Sequence, residues 1–440
     1  MSQYRAYPAY KDSGVEWIGL VPEHWEVKRL KHLISQCQNG VWGDDPLEDG
    51  SDTLCIRVAD FDRDNNVVIY NPSTYRQITK EHQDSRLVSK GDILLEKSGG
   101  GAQTLVGANV RYLGKEPAVC SNFVAVIKPS KKAESAWLNY LMASMYALKI
   151  NLRSIKQSTG IQNLDSEQYL DEGVAAPSLD EQATIAAALD RETARIDALI
   201  EKKTRFIELL KEKRQALITH AVTKGLDPNV KMKDSGVEWI GQVPEHWEVK
   251  PFFALVTELN RKNVGLVETN ILSLSYGNII QKPETRNMGL TPESYETYQI
   301  VESGEIVFRF TDLQNDKRSL RSAQVTQRGI ITSAYMAVKP QSIDSTYFAW
   351  LMRSYDLCKV FYAMGGGLRQ SLKFEDVRRL PVLIPPVDEQ SAITNTINAG
   401  TARIDALVEK TEQSITLLKE RRAAFITAAV TGQIDLRGKQ

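Results

Sequence analysis

The chain has 440 residues, of which 42% are hydrophobic and 25% charged, values of a folded globular protein and too many residues for one ordinary core. Formal net charge is zero, which argues against a simple electrostatic nucleic-acid binder. Four cysteines, Cys37, Cys55, Cys120 and Cys358, form no CxxC pair, no apolar run spans a bilayer and no signal segment opens the chain. A reducing, cytoplasmic setting without a membrane is the expectation.

In chain order, the first landmark is KDSGVEWIGLVPEHWEVK at 11–28. A variable segment follows, 29–176. It has short β-branched and aromatic runs bounded by turn residues at 53–59, 66–70, 92–96, 104–108 and 123–127, and one helical stretch at 133–148. From 181 to 222 there is no Pro or Gly, and apolar residues recur every three or four positions at Ile185, Leu189, Ile196, Leu199, Phe206, Leu210 and Leu217. Pro177 resists helix propagation upstream, and Asp180 is a candidate N-cap or first-turn acid. This predicts a helix of 42 residues, about 63 Å.

The plan then repeats. Residues 233–250 match 11–28 at seventeen of eighteen positions, with Gln242 replacing Leu20. A second variable segment, 251–384, predicts strands at 269–274, 305–310 and 335–338 and a helix at 345–361. TARIDALVEK at 401–410 answers TARIDALIEK at 193–202, with no gap over the whole helical repeat. Its stripe runs Ile393, Ile397, Ile404, Leu407, Leu418 and Phe425, with Asp388 as the matching acid. Paired landmarks inside the variable segments, Gly91-Asp92-Ile93 with Gly304-Glu305-Ile306, point to one scaffold used twice. The period is far too long for a solenoid.

The expected fold class is α+β: two mixed α/β domains joined by two long antiparallel helices forming a coiled coil, with pseudo-twofold symmetry. The expected parts are 1–176, a spacer helix at 177–225, a linker and second domain at 226–384, and a second helix with a tail at 385–440. Thirteen charged side chains over 191–215 suit the wet faces of a coiled coil or a docking surface for partner helices.

The motifs of catalytic chemistry are incomplete in this sequence. Asn71-Pro72-Ser73-Thr74-Tyr75 lacks the second proline of an adenine-methylating pocket, and Gly99-Gly100-Gly101 lacks phosphate-loop spacing. Glu201-Lys202-Lys203 sits on a helix with no strand beside it, and five scattered histidines form no metal-ligand pattern. No catalytic, cofactor or metal residue is assigned. Candidates for DNA contact are Arg57, Arg63, Lys97, Ser98 and Gln162 in the first variable segment, and Arg309, Arg318, Arg321, Arg369 and Gln370 in the second. Arg suits guanine and Gln adenine, with Ser or Lys helping at phosphates. Trp25, Trp247, Gln182 and Gln390 recur in both copies and read as structural or partner-docking residues.

Over essentially its whole length the chain resembles the specificity subunits of type I restriction–modification systems. The marks are SGVEWIGxVPEHWEV at 13–27 and 235–249, and P-x-x-x-E-Q at 177–182 and 385–390. The resemblance implies two target recognition domains, each reading one half of a bipartite site in double-stranded DNA. It also implies spacer helices that dock two methyltransferase subunits, and restriction/translocase subunits for cleavage, the specificity subunit itself being non-catalytic.

Overall fold

The computed structural model describes residues 5–100, 104–158, 160–282, 294–313, 316, 319–364 and 371–438. The chain forms two compact units, Met1–Lys202 with Gln413–Gln440, and Lys203–Glu412. This division cuts both long helices, because each unit packs half of each helix against its own mixed domain.

In the first unit the Trp/Pro segment folds as the hairpin β1 (Tyr10–Asp12) and β2 (Leu20–Pro22), with Lys11 opposite Val21. Strand β3 (Glu26–Arg29) leads into the variable segment. Its sheet consists of β4 (Ile34–Asn39), β5 (Ile93–Glu96), β6 (Asn109–Arg111) and β7 (Val124–Pro129), in the order β4-β7-β5-β6, neighbours antiparallel. Two short strands, Val67–Val68 and Phe61–Asp62, continue it beyond β6. All of β5 is buried. Ile93 and Leu95 join Trp137 and Leu141 of helix α1 (Ser135–Ala147) in one cluster, while Leu94 joins Val110, Val124 and Val126 in another. A strand between two apolar layers reads as an unbroken apolar run, as 93–95 does. Glu134 caps α1 by accepting the Trp137 N–H at 2.6 Å, and Ser135 Oγ donates to the carbonyl of Gly91. Gly91 has φ 96°, a turn that a side chain would strain. Strand β8 (Gly173–Ala176) closes the domain by pairing antiparallel with β3, after which α2 (Leu179–Lys224) begins.

The second unit repeats this plan. It has the hairpin β9 (Met232–Asp234) and β10 (Gln242–Pro244), then β11 (Glu248–Pro251). Strands β12 (Val256–Leu259), β13 (Ile306–Phe308), β14 (Ser322–Gln324) and β15 (Met336–Pro340) are ordered β12-β15-β13-β14, again antiparallel. Helix α3 (Ser345–Leu357) stands where α1 stands, capped by Asp344, with Ser345 Oγ donating to the Gly304 carbonyl. Strand β16 (Pro381–Ile384) pairs with β11 before α4 (Val387–Val430). Ile306 and Phe308 face the helix-side core and Val307 the opposite one, the same alternation as in β5. The expected common α+β fold is therefore present, strand for strand in the four-stranded sheet.

Helices α2 and α4 have 46 and 44 residues, about 69 and 66 Å. Asp180 and Asp388 are first-turn acids. In the first unit Arg422 pairs with Asp197 at 3.0 Å, and in the second the matching Arg214 pairs with Asp405 at 2.9 Å. Leu217 lies against Gly400 three residues on from Arg214, so the helices run antiparallel there; a Cβ on Gly400 would sit 2.5 Å from Leu217 Cδ2. Most of the predicted stripe is buried, at Ile185, Leu189, Ile196, Leu210, Ile393, Ile397, Ile404 and Phe425, with local departures. Leu199, Phe206 and Leu407 are exposed, while Thr193, Ile207 and Thr411 are buried. Thr193 and Thr411 fit the seam because their hydroxyls donate to the carbonyls of Leu189 and Leu407, both at distances under 3 Å, so polar positions carry the heptad through.

Two other expectations are corrected. Residues 104–108 form no strand, although Val106 and Ala108 are buried. Their backbone is held by side chains instead: Val106 N–H donates to Gln162 Oε1 at 3.2 Å and its carbonyl accepts Asn151 Nδ2 at 2.6 Å. The helix expected over 345–361 breaks into Ser345–Leu357 and Val360–Met364, with Lys359 at φ 62°; Lys149 turns the chain the same way after α1, at φ 59°.

Candidate functional site

The P-x-x-x-E-Q motif builds the junction between each domain and its helix. In the first unit Glu181 is buried. Its Oε1 accepts the Tyr7 hydroxyl at 2.9 Å and the Trp25 indole N–H at 3.3 Å, and its Oε2 lies 2.9 Å from His24 Nε2. Arg437 stacks over Tyr7 at 4.8 Å and reaches within 3.8 Å of Glu181. Gln182, 1% exposed, donates to the carbonyls of Lys132 and Pro177 and accepts the Glu134 N–H at 2.8 Å. In the second unit Glu389 Oε2 accepts the Trp247 indole at 3.1 Å and lies 2.7 Å from His246 Nε2. Gln390 donates to the Pro385 carbonyl and accepts the Asp344 N–H, both at 2.8 Å. Trp25, Trp247, Gln182 and Gln390 thus each complete a hydrogen-bonded joint inside their own unit.

The domain-to-helix contacts also match across the copies. Tyr140 donates to Asp190 at 2.7 Å, and burial pushes its phenol up to about 12. In the second unit Trp350 donates to Asn398 at 3.0 Å in the corresponding place. Ser144 bonds Thr427 at 2.8 Å, and Ser354 bonds Thr219 at 3.3 Å.

A cavity of about 530 Å³ opens in the first domain. It is lined by Trp42, Arg57, Glu96, Ser98, Gly99, Gly100, Ser121, Asn122 and Phe123, with Val58 and Ala59. Four separate stretches meet there: the segment after β4, the turn after the strand Thr53–Ile56, the end of β5 and the turn before β7. Arg57 pairs with Asp60 at 3.3 Å and stays 41% exposed. Arg63 Nη2 donates to Glu96 Oε2 at 2.7 Å, and its Nη1 to the Tyr146 hydroxyl at 3.2 Å. Burial raises the Glu96 carboxyl above the ordinary carboxylate range, with Arg63 opposing the rise. Lys97 Nζ holds Asn39 Oδ1 at 2.7 Å, and Ser98 Oγ donates to Asn163 Oδ1 at 2.6 Å. The structure therefore brings Arg57 and Ser98 to one cavity, with Lys97 next in sequence. It turns Arg63 toward Glu96 and places Gln162, 6% exposed, in backbone support of Val106.

In the second domain Arg309 immediately follows β13, the place that Glu96 fills at the end of β5, counted from Gly304 and Gly91. It is one-third exposed and 4.0 Å from Asp316. Arg321 is fully buried, which removes it from the surface candidates. Its guanidinium donates to the carbonyls of Thr311, Asp312 and Asp316 and to the Tyr362 hydroxyl, and its own N–H to Asp356. Burial raises the Asp356 carboxyl. Arg318, Arg369 and Gln370 lie outside the described residues. Trp42, Phe123 and Glu96 at the cavity are not among the sequence candidates, whereas Glu181 and Glu389 at the joints are the acids of the P-x-x-x-E-Q motif.

Among the described residues no group of His, Cys, Asp and Glu is placed to hold a metal ion, and no helix is long and apolar enough to cross a membrane.

Residues 22–209 match the family described as type I restriction modification DNA specificity domain. Two proteins of Methanocaldococcus jannaschii are similar over nearly the whole chain. One bears the name MjaX specificity subunit of a type I restriction enzyme and is 22% identical, covering 96% of each chain; the other, the MjaVIII specificity subunit, is 23% identical, covering 95% of this chain and 94% of its own. Two solved structures share the fold. A chain from a study of complex assembly and conformational transition of the type I R-M system aligns with TM-score 0.67 and 12% identity over 96% of this chain and 99% of its own. The HsdS subunit from Thermoanaerobacter tengcongensis aligns with TM-score 0.54 and 15% identity over 94% of this chain and 98% of its own. With the duplicated domain-and-helix plan described above, the chain is similar over nearly its whole length to the specificity subunits of type I restriction–modification systems.

Proposed function

We propose that the two domains each read one half of a bipartite DNA site, and that the long helices dock two methyltransferase subunits. Restriction/translocase subunits join the same cytoplasmic complex for cleavage, and the chemistry belongs to these partners. The observation that carries the reading is one sheet order used twice with different groups at a matching strand end, Glu96 in one domain and Arg309 in the other. A constant frame with exchanged side chains is what two readers of different half-sequences require. The recognition domains span 29–176 and 251–384, and the spacer helices begin at the P-x-x-x-E-Q motifs. Arg57, Lys97 and Ser98 serve the first half-site and Arg309 the second, with Arg318, Arg369 and Gln370 retained as candidates from sequence.

Zero net charge means that the chain alone neutralises few phosphates. The free subunit is expected to bind duplex DNA weakly, and the complex with methyltransferase subunits tightly and specifically. In a salt titration each phosphate neutralised adds about 0.9 to the slope of log K against log salt, so the complex should show a slope steeper by several units. Equal affinity and equal slope for subunit and complex would refute this.

A further inference from the structure

The cavity in the first domain has features that reading a base edge in a groove does not need. Its volume, about 530 Å³, is that of a pocket for a small molecule. Two large aromatic side chains line it while remaining open to solvent, Trp42 at 39% and Phe123 at 47% exposure. Trp42 is held through its ring: the Arg76 guanidinium lies over it at 4.7 Å, and that arginine also donates to the carbonyls of Trp42 and Gly43 and to Asp45. The ring is therefore a fixed platform.

The carboxylate lining the cavity is almost inaccessible, Glu96 being 1% exposed. Oε2 is taken by Arg63. Oε1 faces the glycine turn, 3.6 Å from where a Cβ on Gly99 would stand. Gly99 takes a φ of 127°, and its absent side chain leaves the wall beside Glu96 open, while Gly100, at φ 64°, packs against the Thr104 carbonyl, Gln162 and Val106. A group reaching Glu96 must enter the cavity, and it must be a donor, because a carboxylate accepts hydrogen bonds. Arg57 stands beside it with a half-open guanidinium suited to a phosphate.

Resting on the recognition reading above, we infer that this cavity receives one nucleobase turned out of the duplex, stacked on its aromatic lining, with an exocyclic amino group donated to Glu96. The base is cytosine, adenine or guanine, since each carries an exocyclic amino group that the carboxylate accepts, whereas thymine has none. Stacking on aromatic side chains is how proteins hold unpaired bases, and a carboxylate gives that otherwise tolerant contact its selectivity. The second domain places Arg309 at the matching strand end, so this device belongs to the first half-site.

The test uses the full chain in complex with its methyltransferase subunits and duplexes carrying its site. At each position in turn the opposite nucleotide is replaced by an abasic residue, and affinity is measured. Turning out a base already without a partner costs less, so binding tightens about tenfold or more at any position that leaves the stack. The adenines that receive methyl groups form one such set, because methyltransferases extrude their target. The expected result is one further position, an A, C or G, in the half-site of the first domain. Its enhancement should vanish in Trp42→Ala and Phe123→Ala while that at the adenines stays. Both side chains sit at a solvent-open surface, so these variants keep the fold. Glu96→Gln should reduce preference for an amino-bearing base over thymine at that position at least tenfold. Enhancement confined to the methylated adenines, or a further position indifferent to Trp42→Ala and Phe123→Ala, overturns the inference. A wild-type complex with no site preference overturns the recognition reading, and this inference with it.

Discussion

Glu181→Ala is expected to lower the stability of the first unit by about 3–4 kcal/mol. The Trp25 indole N–H and the Tyr7 hydroxyl both end on Glu181 in the core, and a buried donor left without a partner costs about 1–3 kcal/mol. Glu181→Gln keeps an acceptor oxygen and should cost about 1 kcal/mol. The copy supplies an internal control. Glu389 accepts the Trp247 indole with His246 alongside, and among the described contacts it receives no tyrosine hydroxyl. Glu389→Ala should therefore destabilise its own unit by about 1 kcal/mol less. Urea unfolding followed by near-ultraviolet signals, with each unit's tryptophans as probes, would show the order; equal losses in the two variants would contradict the hydrogen-bond account.

Arg63→Ala is expected to cost about 3 kcal/mol at neutral pH, the low end of what breaking a buried ion pair costs, since Arg63 is 31% exposed. The pH dependence carries the sign. Glu96 has a folded pKa raised above its unfolded value, so the folded chain holds the proton more tightly. Its contribution is favourable at low pH and declines as pH rises from the ordinary carboxylate range through the folded value. Without Arg63 the rise is larger, and the decline is deeper and extends to higher pH. The difference between Arg63→Ala and wild type in urea midpoint should therefore be small near pH 4 and large at pH 7. Arg63→Ala combined with Glu96→Gln should recover much of the loss and flatten the profile. A deficit equal at both pH values would mean that Arg63 acts through packing rather than charge.

The duplication was legible because the helices and the Trp/Pro segments answer to local rules. A gap-free helical repeat keeps its period, and Trp25 and Trp247 need the same buried acceptor, so both copies retain Glu and Gln at the helix start. Strand β5 was legible because it is buried on both faces and reads as an apolar run. Most of the helix seam was legible from apolar spacing, but Thr193 and Thr411 were not, because their hydroxyls are satisfied within their own helix. Arg321 read as a surface base-reader because a lone arginine is usually exposed; five acceptors gathered from a loop and α3 and the segment after it bury it instead. Of the cavity only Arg57, Ser98 and the glycine run were marked in the sequence. Trp42, Arg57, Glu96 and Phe123 are spread over 82 positions, and only the sheet order brings them together.

The most direct test of the central claim, that each domain reads its own half-site, is methylation mapping in cells carrying the complete complex. Methylated adenines are sequenced with the native chain and with a chain whose residues 251–384 are replaced by the corresponding segment of another family member. The account predicts a bipartite motif in both cases, with one half-sequence unchanged and the other replaced. A motif changed in both halves, or in neither, would contradict it.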